Sequence, residues 1–215
     1  MNDFNEDNPF NDLDNKKEEN NKIFQKFEIR DIVFLAITAA VMLITGGIMP
    51  LALGLPIFGA IELCIGFQFS LFPVIALMKV KKMGSLIITS IFLGALLAFM
   101  FFPMFLCIVI CAIITELLVL IIFRGYKKDR ACIFAGVIYT PLTIPFLFVF
   151  LKFMYNKENP KSAITHMINP EMWQVFLMSG IIILICIIGS LIGYKIAKEL
   201  RKAGKFNWWK AKYIH

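Results

Sequence analysis

An uncharged run of 18 residues, Ile32 to Met49, constrains the chain more than any other feature. As a helix rising 1.5 Å per residue it measures roughly 27 Å, close to the hydrocarbon thickness of a bilayer, about 30 Å. The stretch DIVFLAITAAVMLITGGIMP, Asp31 to Pro50, therefore reads as a first membrane span. Ala36 and Ala40 lie four apart on it with Ala39 beside them. Small residues at that spacing let another helix come close where lipid supplies no hydrophobic drive.

Five further apolar runs follow, separated by glycine, proline and clusters of charge. The spans expected are about 31–49, 55–78, 84–102, 104–123, 131–151 and 173–194. With 59% hydrophobic residues and a mean hydropathy of +0.77, a 215-residue chain has more apolar surface than a soluble globule of that size can hide. The fold class expected is an all-α integral membrane bundle of six helices over residues 30–195. Residues 1–29 hold eight acids and seven asparagines with few apolar residues, and read as a disordered acidic tail. They lack the basic start, apolar core and small-residue cleavage site of a secretory signal. Residues 196–215 read as a basic, helix-forming tail that lies on anionic lipid or contacts a partner.

The lysines and arginines orient the bundle. Five lie in the amino-terminal tail, three in the loop joining spans two and three, four in the loop joining four and five, and seven in the carboxy-terminal tail. Lys152, Lys157 and Lys161 are the rest, so the division is nineteen against three. That asymmetry puts both termini in the cytoplasm of a bacterial-type cell membrane. The connections 1–2, 3–4 and 5–6 then face outward. The net charge of +7 flanks apolar spans and forms no patch interleaved with exposed aromatics, so nucleic acid is not an expected partner.

Little in the chain looks catalytic. It contains no HExxH, no GxSxG and no phosphate loop, and two histidines in all, so neither an enzyme nor an ATPase in its own right is expected. All five cysteines lie in apolar runs, where a thiol acts as a small hydrophobe; neither a disulfide framework nor a metal pair is expected. Two carboxylates fall within spans, and an acid there carries a desolvation cost that marks function. Glu62, near the outer end of span two, is a candidate for ligand contact or for a structural bond to a neighbouring helix. Glu116, nearer the cytoplasm, pairs with an inner base or hydrogen-bonds between helices. The 152–172 connection concentrates Tyr155, His166, Met167 and Met172, followed by Trp173 and Gln174, all candidate substrate contacts. Histidine, methionine and tyrosine are haem-iron ligands, so His166 is a candidate axial ligand of a bound haem.

Several short motifs appear in order: Arg30-Asp31-Ile32-Val33 opening span one, Met78 to Gly84 reading MKVKKMG, Thr115-Glu116-Leu117-Leu118 before Arg124-Gly125-Tyr126-Lys127, and Gly189-Ser190-Leu191-Ile192-Gly193 before Arg201-Lys202-Ala203-Gly204. In this order and spacing the chain resembles the substrate-binding S component of an energy-coupling-factor (ECF) transporter, most closely the MptD-type (Trep_Strep) group. The resemblance covers about residues 28 to 205. It implies a six-helix S-component-like bundle that captures a micronutrient from outside, needs no cofactor, and docks on a transmembrane coupling protein (T component) carrying two ATPase subunits. It also implies that Ala36 and Ala40 form the docking face and that substrate sits beneath the three outward loops. The expected cargo is haem or another tetrapyrrole, with a water-soluble vitamin as the competitor. A non-transporting membrane interaction or assembly protein is the alternative. A self-sufficient ion-coupled carrier would need an internal repeat or paired broken helices, and the sequence has neither.

Overall fold

A computed structural model of the protein describes residues 25–48, 60–99, 102–154 and 172–203. They form six helices: α1 Ile29–Thr45, extended by a short 3-10 turn over Gly46–Ile48, α2 Ala60–Val80, α3 Ser85–Ala98, α4 Phe102–Phe123, α5 Asp129–Met154 and α6 Met172–Lys202. Among the described residues each expected span lies mainly on one helix, although Phe102, expected to end the third, begins α4. Among the described residues three stretches, Glu62–Val80, Met104–Phe123 and Trp173–Lys202, are long and apolar enough to cross a membrane; α3 is a shorter apolar helix of 14 residues.

Helix ends depart from the sequence reading for local reasons. Pro103 lies in the first turn of α4, where its missing N–H has no helical acceptor to lose. The helix-forming segment expected after Tyr194 is continuous with the span, so α6 runs to Lys202, where Ala197 is buried and Arg201 finds partners on other helices. α2 and α4 each end on a left-handed residue, Lys81 at φ 52° and Arg124 at φ 57°. In each case the amide still donates to the carbonyl four residues back, Leu77 at 2.8 Å and Leu120 at 3.0 Å, closing the last turn.

α2 is the central element, packed against α1, α3, α5 and α6. Its crossing with α6 depends on small residues. A methyl group on Gly189 would meet Ser70 Oγ and stand 2.6 Å from the Phe67 carbonyl oxygen, and one on Gly193 would stand 2.7 Å from that of Leu71. Gly136 brings α5 into the same junction, against Val74, Ser190 Oγ and the Ser70 carbonyl. Close backbone approach is how helices gain packing energy in lipid, where burying leucine against leucine gains nothing over leucine against acyl chains. Away from that seam α6 is apolar and exposed, with Phe176, Leu177, Leu184, Ile188 and Leu191 turned outward.

The crossing yields a paired prediction. Gly189→Ala puts its methyl against backbone that cannot rotate aside, and should lower stability in detergent by about 1–3 kcal/mol. Gly180→Ala on the same helix, with nothing within 4 Å of the new methyl, should be neutral or stabilising by up to about 1 kcal/mol. Thermal unfolding of both variants, followed by circular dichroism, checks the pair.

Candidate functional site

The two ends of the bundle are built differently. At the basic end, the turn between α2 and α3 is held from three sides. Lys82 Nζ donates to Asp31 of α1 at 2.7 Å and to the Lys26 carbonyl at 2.7 Å. Asp31 also accepts the Glu28 N–H at 3.2 Å, half of a capping box that starts α1. Lys81 pairs with Asp129, the first residue of α5, at 2.6 Å, and Arg201 of α6 reaches the same carboxylate at 3.5 Å and the Met78 carbonyl at 3.4 Å. Four helices are thereby clasped together.

Glu116 completes this end from within. Its carboxylate, 4% exposed, accepts the N–H of Gly84 at 2.8 Å, of Leu86 at 2.8 Å and of Ile87 at 3.4 Å. These are donors that the first turn of α3 cannot satisfy itself, and the positive end of that helix favours the charge. Gly84, at φ +93°, supplies the left-handed backbone that turns its N–H toward the acid. Of the two roles the sequence left open for Glu116, the structure displays the bond between helices.

At the opposite end, the residues gather around a cavity of about 50 Å³, room for roughly four waters. Met42 and Leu43 of α1, Leu93 and Leu97 of α3, and Cys107 of α4 form part of its apolar wall. α2 contributes Glu62 and Phe69, and α5 contributes Tyr139, Thr140 and Thr143. Tyr139 is fixed by a hydrogen bond between its hydroxyl and that of Ser90 on α3, 2.9 Å long, and the Thr143 hydroxyl returns to the Thr140 carbonyl at 2.6 Å. With its amide oriented to satisfy both groups, Gln68 donates to the Thr45 carbonyl at 3.1 Å and accepts the Gly46 N–H at 3.2 Å, tying the end of α1 to α2 at the rim.

The sequence candidates divide sharply against this cavity. Glu62 lines it, 4% exposed. Trp173, 59% exposed, and Gln174 sit in the first turn of α6 and do not line it; Met172 begins that helix. Tyr155, His166 and Met167 lie outside the described residues, and with them the haem-ligand reading. On α1, Ala39 is buried inward, Ala36 is half-buried and Ala40 is exposed beside Val33, Ile37 and Ile44, so of the three alanines only Ala40 is turned fully outward. Tyr139, Thr140 and Thr143 were missed. Their signal was present in the YTPLTIP stretch, where hydroxyls adjoin two helix prolines within an apolar run. Among the described residues no cluster of His, Cys, Asp or Glu could hold a metal ion, and the cysteines are free thiols.

An all-helical protein with apolar outer faces, one charged end and a cavity at the other belongs to the class of integral membrane proteins. The chain is a member of the Trep_Strep family of hypothetical bacterial integral membrane proteins, whose family model matches residues 29–202. No curated protein and no solved structure matches it.

The clasp sets a dependence on pH. Burial alone pushes the Asp129 carboxyl up, but the hydrogen bond and charge of Lys81, with the charge of Arg201, outweigh it and hold the group below the ordinary carboxylate range. A depressed folded-state value means that the stabilisation is complete above the unfolded-state value, about 3.9, and is lost as pH falls through the folded one. Stability in detergent should therefore decline on acidification in that lower range. Asp129→Asn should remove this part of the decline while lowering stability at neutral pH, as read by midpoints of unfolding across a pH series.

Proposed function

We propose that the protein is the substrate-specific S component of an ECF-type importer. In this reading it is a multi-pass protein of the cell membrane with six spans, and both termini and the clasped, lysine-rich end lie in the cytoplasm. A micronutrient is captured in the cavity at the outward end and delivered through a T component powered by two partner ATPases. The observation that carries the reading is the position of the cavity: it lies at the end opposite the basic clasp, between the last turns of α1 and α3 and the first turns of α2 and α4. The α1 face holding Ala36, half-buried, and Ala40, exposed, supports docking, since it lies at the edge of the bundle beside the exposed Val33, Ile37 and Ile44 and its small residues suit a close helix contact.

The cavity also bears on the cargo. Ligand sites for drug-sized molecules run to about 300–1,000 Å³, so the space between these walls suits part of a small vitamin-like molecule better than a whole macrocycle. A tetrapyrrole would have to be held among the outward connections, where His166 and Tyr155 lie. Incubating the purified protein with haem separates the two. A haem spectrum that changes in His166→Ala supports axial ligation; an absent or unaltered spectrum removes that role from His166.

Reconstitution with a T component and two ATPase subunits tests the class. Co-purification and ATP-dependent uptake into liposomes are expected. Ala36→Leu or Ala40→Leu should weaken assembly about tenfold, worth about 1.4 kcal/mol, by overpacking a close helix contact, and should leave ligand binding intact. Failure to assemble with any coupling protein would favour the non-transporting interaction protein.

A further inference from the structure

Six acids occur among the described residues, and five have partners there. Asp31 and Asp129 pair with lysines, Glu199 with Lys202, Glu116 caps α3, and Glu28 is engaged at the start of α1. Glu62 differs. It is as buried as Glu116, it stands on the cavity wall, and among the described residues no lysine, arginine or histidine and no other side chain bonds to its carboxylate; its own backbone N–H is the donor beside it. The lysines and the arginine in the described ion pairs gather at the far end of the bundle, on the α2–α3 turn and the last turn of α6.

The remaining polar lining does not supply the missing charge. The Tyr139 hydroxyl is taken by Ser90 and that of Thr143 by a backbone carbonyl. What the cavity offers a ligand is one carboxylate, an acceptor, and the uncharged Thr140 hydroxyl, which has no partner among the described residues, set among apolar side chains and the rings of Phe69 and Tyr139. A carboxylate in such surroundings carries a desolvation cost that a counter-charge relieves, and aromatic faces attract cations. A ligand carboxylate or phosphate would find no positive partner in this lining and would face repulsion from Glu62.

We propose that the cavity binds a cationic group, a protonated amine or quaternary ammonium, borne on a small aromatic or apolar body, with Glu62 as its counter-charge. This rests on the reading of the cavity as the ligand site and names the chemical class that the site selects.

The test uses the full chain in detergent and four probes of one shape: benzyltrimethylammonium, benzylammonium, benzyl alcohol and benzoate, titrated calorimetrically. The cations should bind saturably and at least tenfold tighter than benzyl alcohol, with benzoate weakest. Glu62→Gln should abolish the preference for cations while leaving the affinity for benzyl alcohol unchanged. Cations binding no better than benzyl alcohol, or a preference that survives Glu62→Gln, would overturn the proposal. The comparison of probes on the unaltered protein stands even where the variant does not fold. A protein that assembles with a coupling protein yet shows no preference among the probes overturns this inference alone, whereas a Glu62-dependent preference without assembly upholds it and removes the importer reading alone.

Discussion

Removing a carboxylate from water costs several kcal/mol unless the protein returns equivalent interactions, and this fold is arranged around meeting that cost at one end and not at the other. Glu116 receives three backbone amides of α3, so its charge is solvated by the very groups that the helix start leaves open. Asp31 and Asp129 receive lysines from the adjoining turn. Each solution also fixes a piece of backbone: the left-handed Gly84, the left-handed Lys81 and the start of α1 are held by the same side chains that are being satisfied. The basic end is rigid because its polar groups have to be.

The opposite end lacks that obligation. Among the described residues it is joined by the Gln68 amide between α1 and α2, by the Ser90–Tyr139 hydrogen bond between α3 and α5, and otherwise by apolar packing of Met42, Leu93 and Leu97 around the cavity. A bundle tied by ion pairs at one end and by the α2–α6 glycine seam along its length opens most easily where neither acts. The cavity lies there. Its lining draws on five helices, so its shape depends on how the uncharged ends of α1, α3 and α4 stand relative to the α2–α5–α6 unit.

The fold was largely legible in the sequence because lipid imposes a simple rule: backbone must be helical where it meets hydrocarbon, so uninterrupted apolar length maps onto helices. The six runs and the helices correspond, down to prolines 73, 141 and 145 lying inside helices. What escaped were features set by distant partners. The tail beyond Tyr194 reads as helix-forming, but nothing in it announces that Arg201 is anchored on Asp129, some seventy residues earlier. Glu116 and Glu62 look alike as isolated acids in apolar runs, and the amides of α3 that distinguish them belong to another helix. The site was half legible for the same reason. An acid in a span stands out by composition, whereas Tyr139, Thr140 and Thr143 become a wall only when α5 is set against α2 and α4.

α1 touches every part of this arrangement. Asp31 anchors it in the clasp, Ala39 and Met42 bury its inner side, Met42, Leu43 and Gly46 reach the cavity, and Ala40 looks outward. Side chains in a close-packed interior are coupled to their neighbours, and Met42 and Leu43 on the cavity wall share α1 with the outward Ala40. Ala40 and Met42 are two residues apart, on opposite sides of one helical turn. In the importer reading, that turn is the shortest physical connection between an occupied site and the surface on which a coupling protein docks.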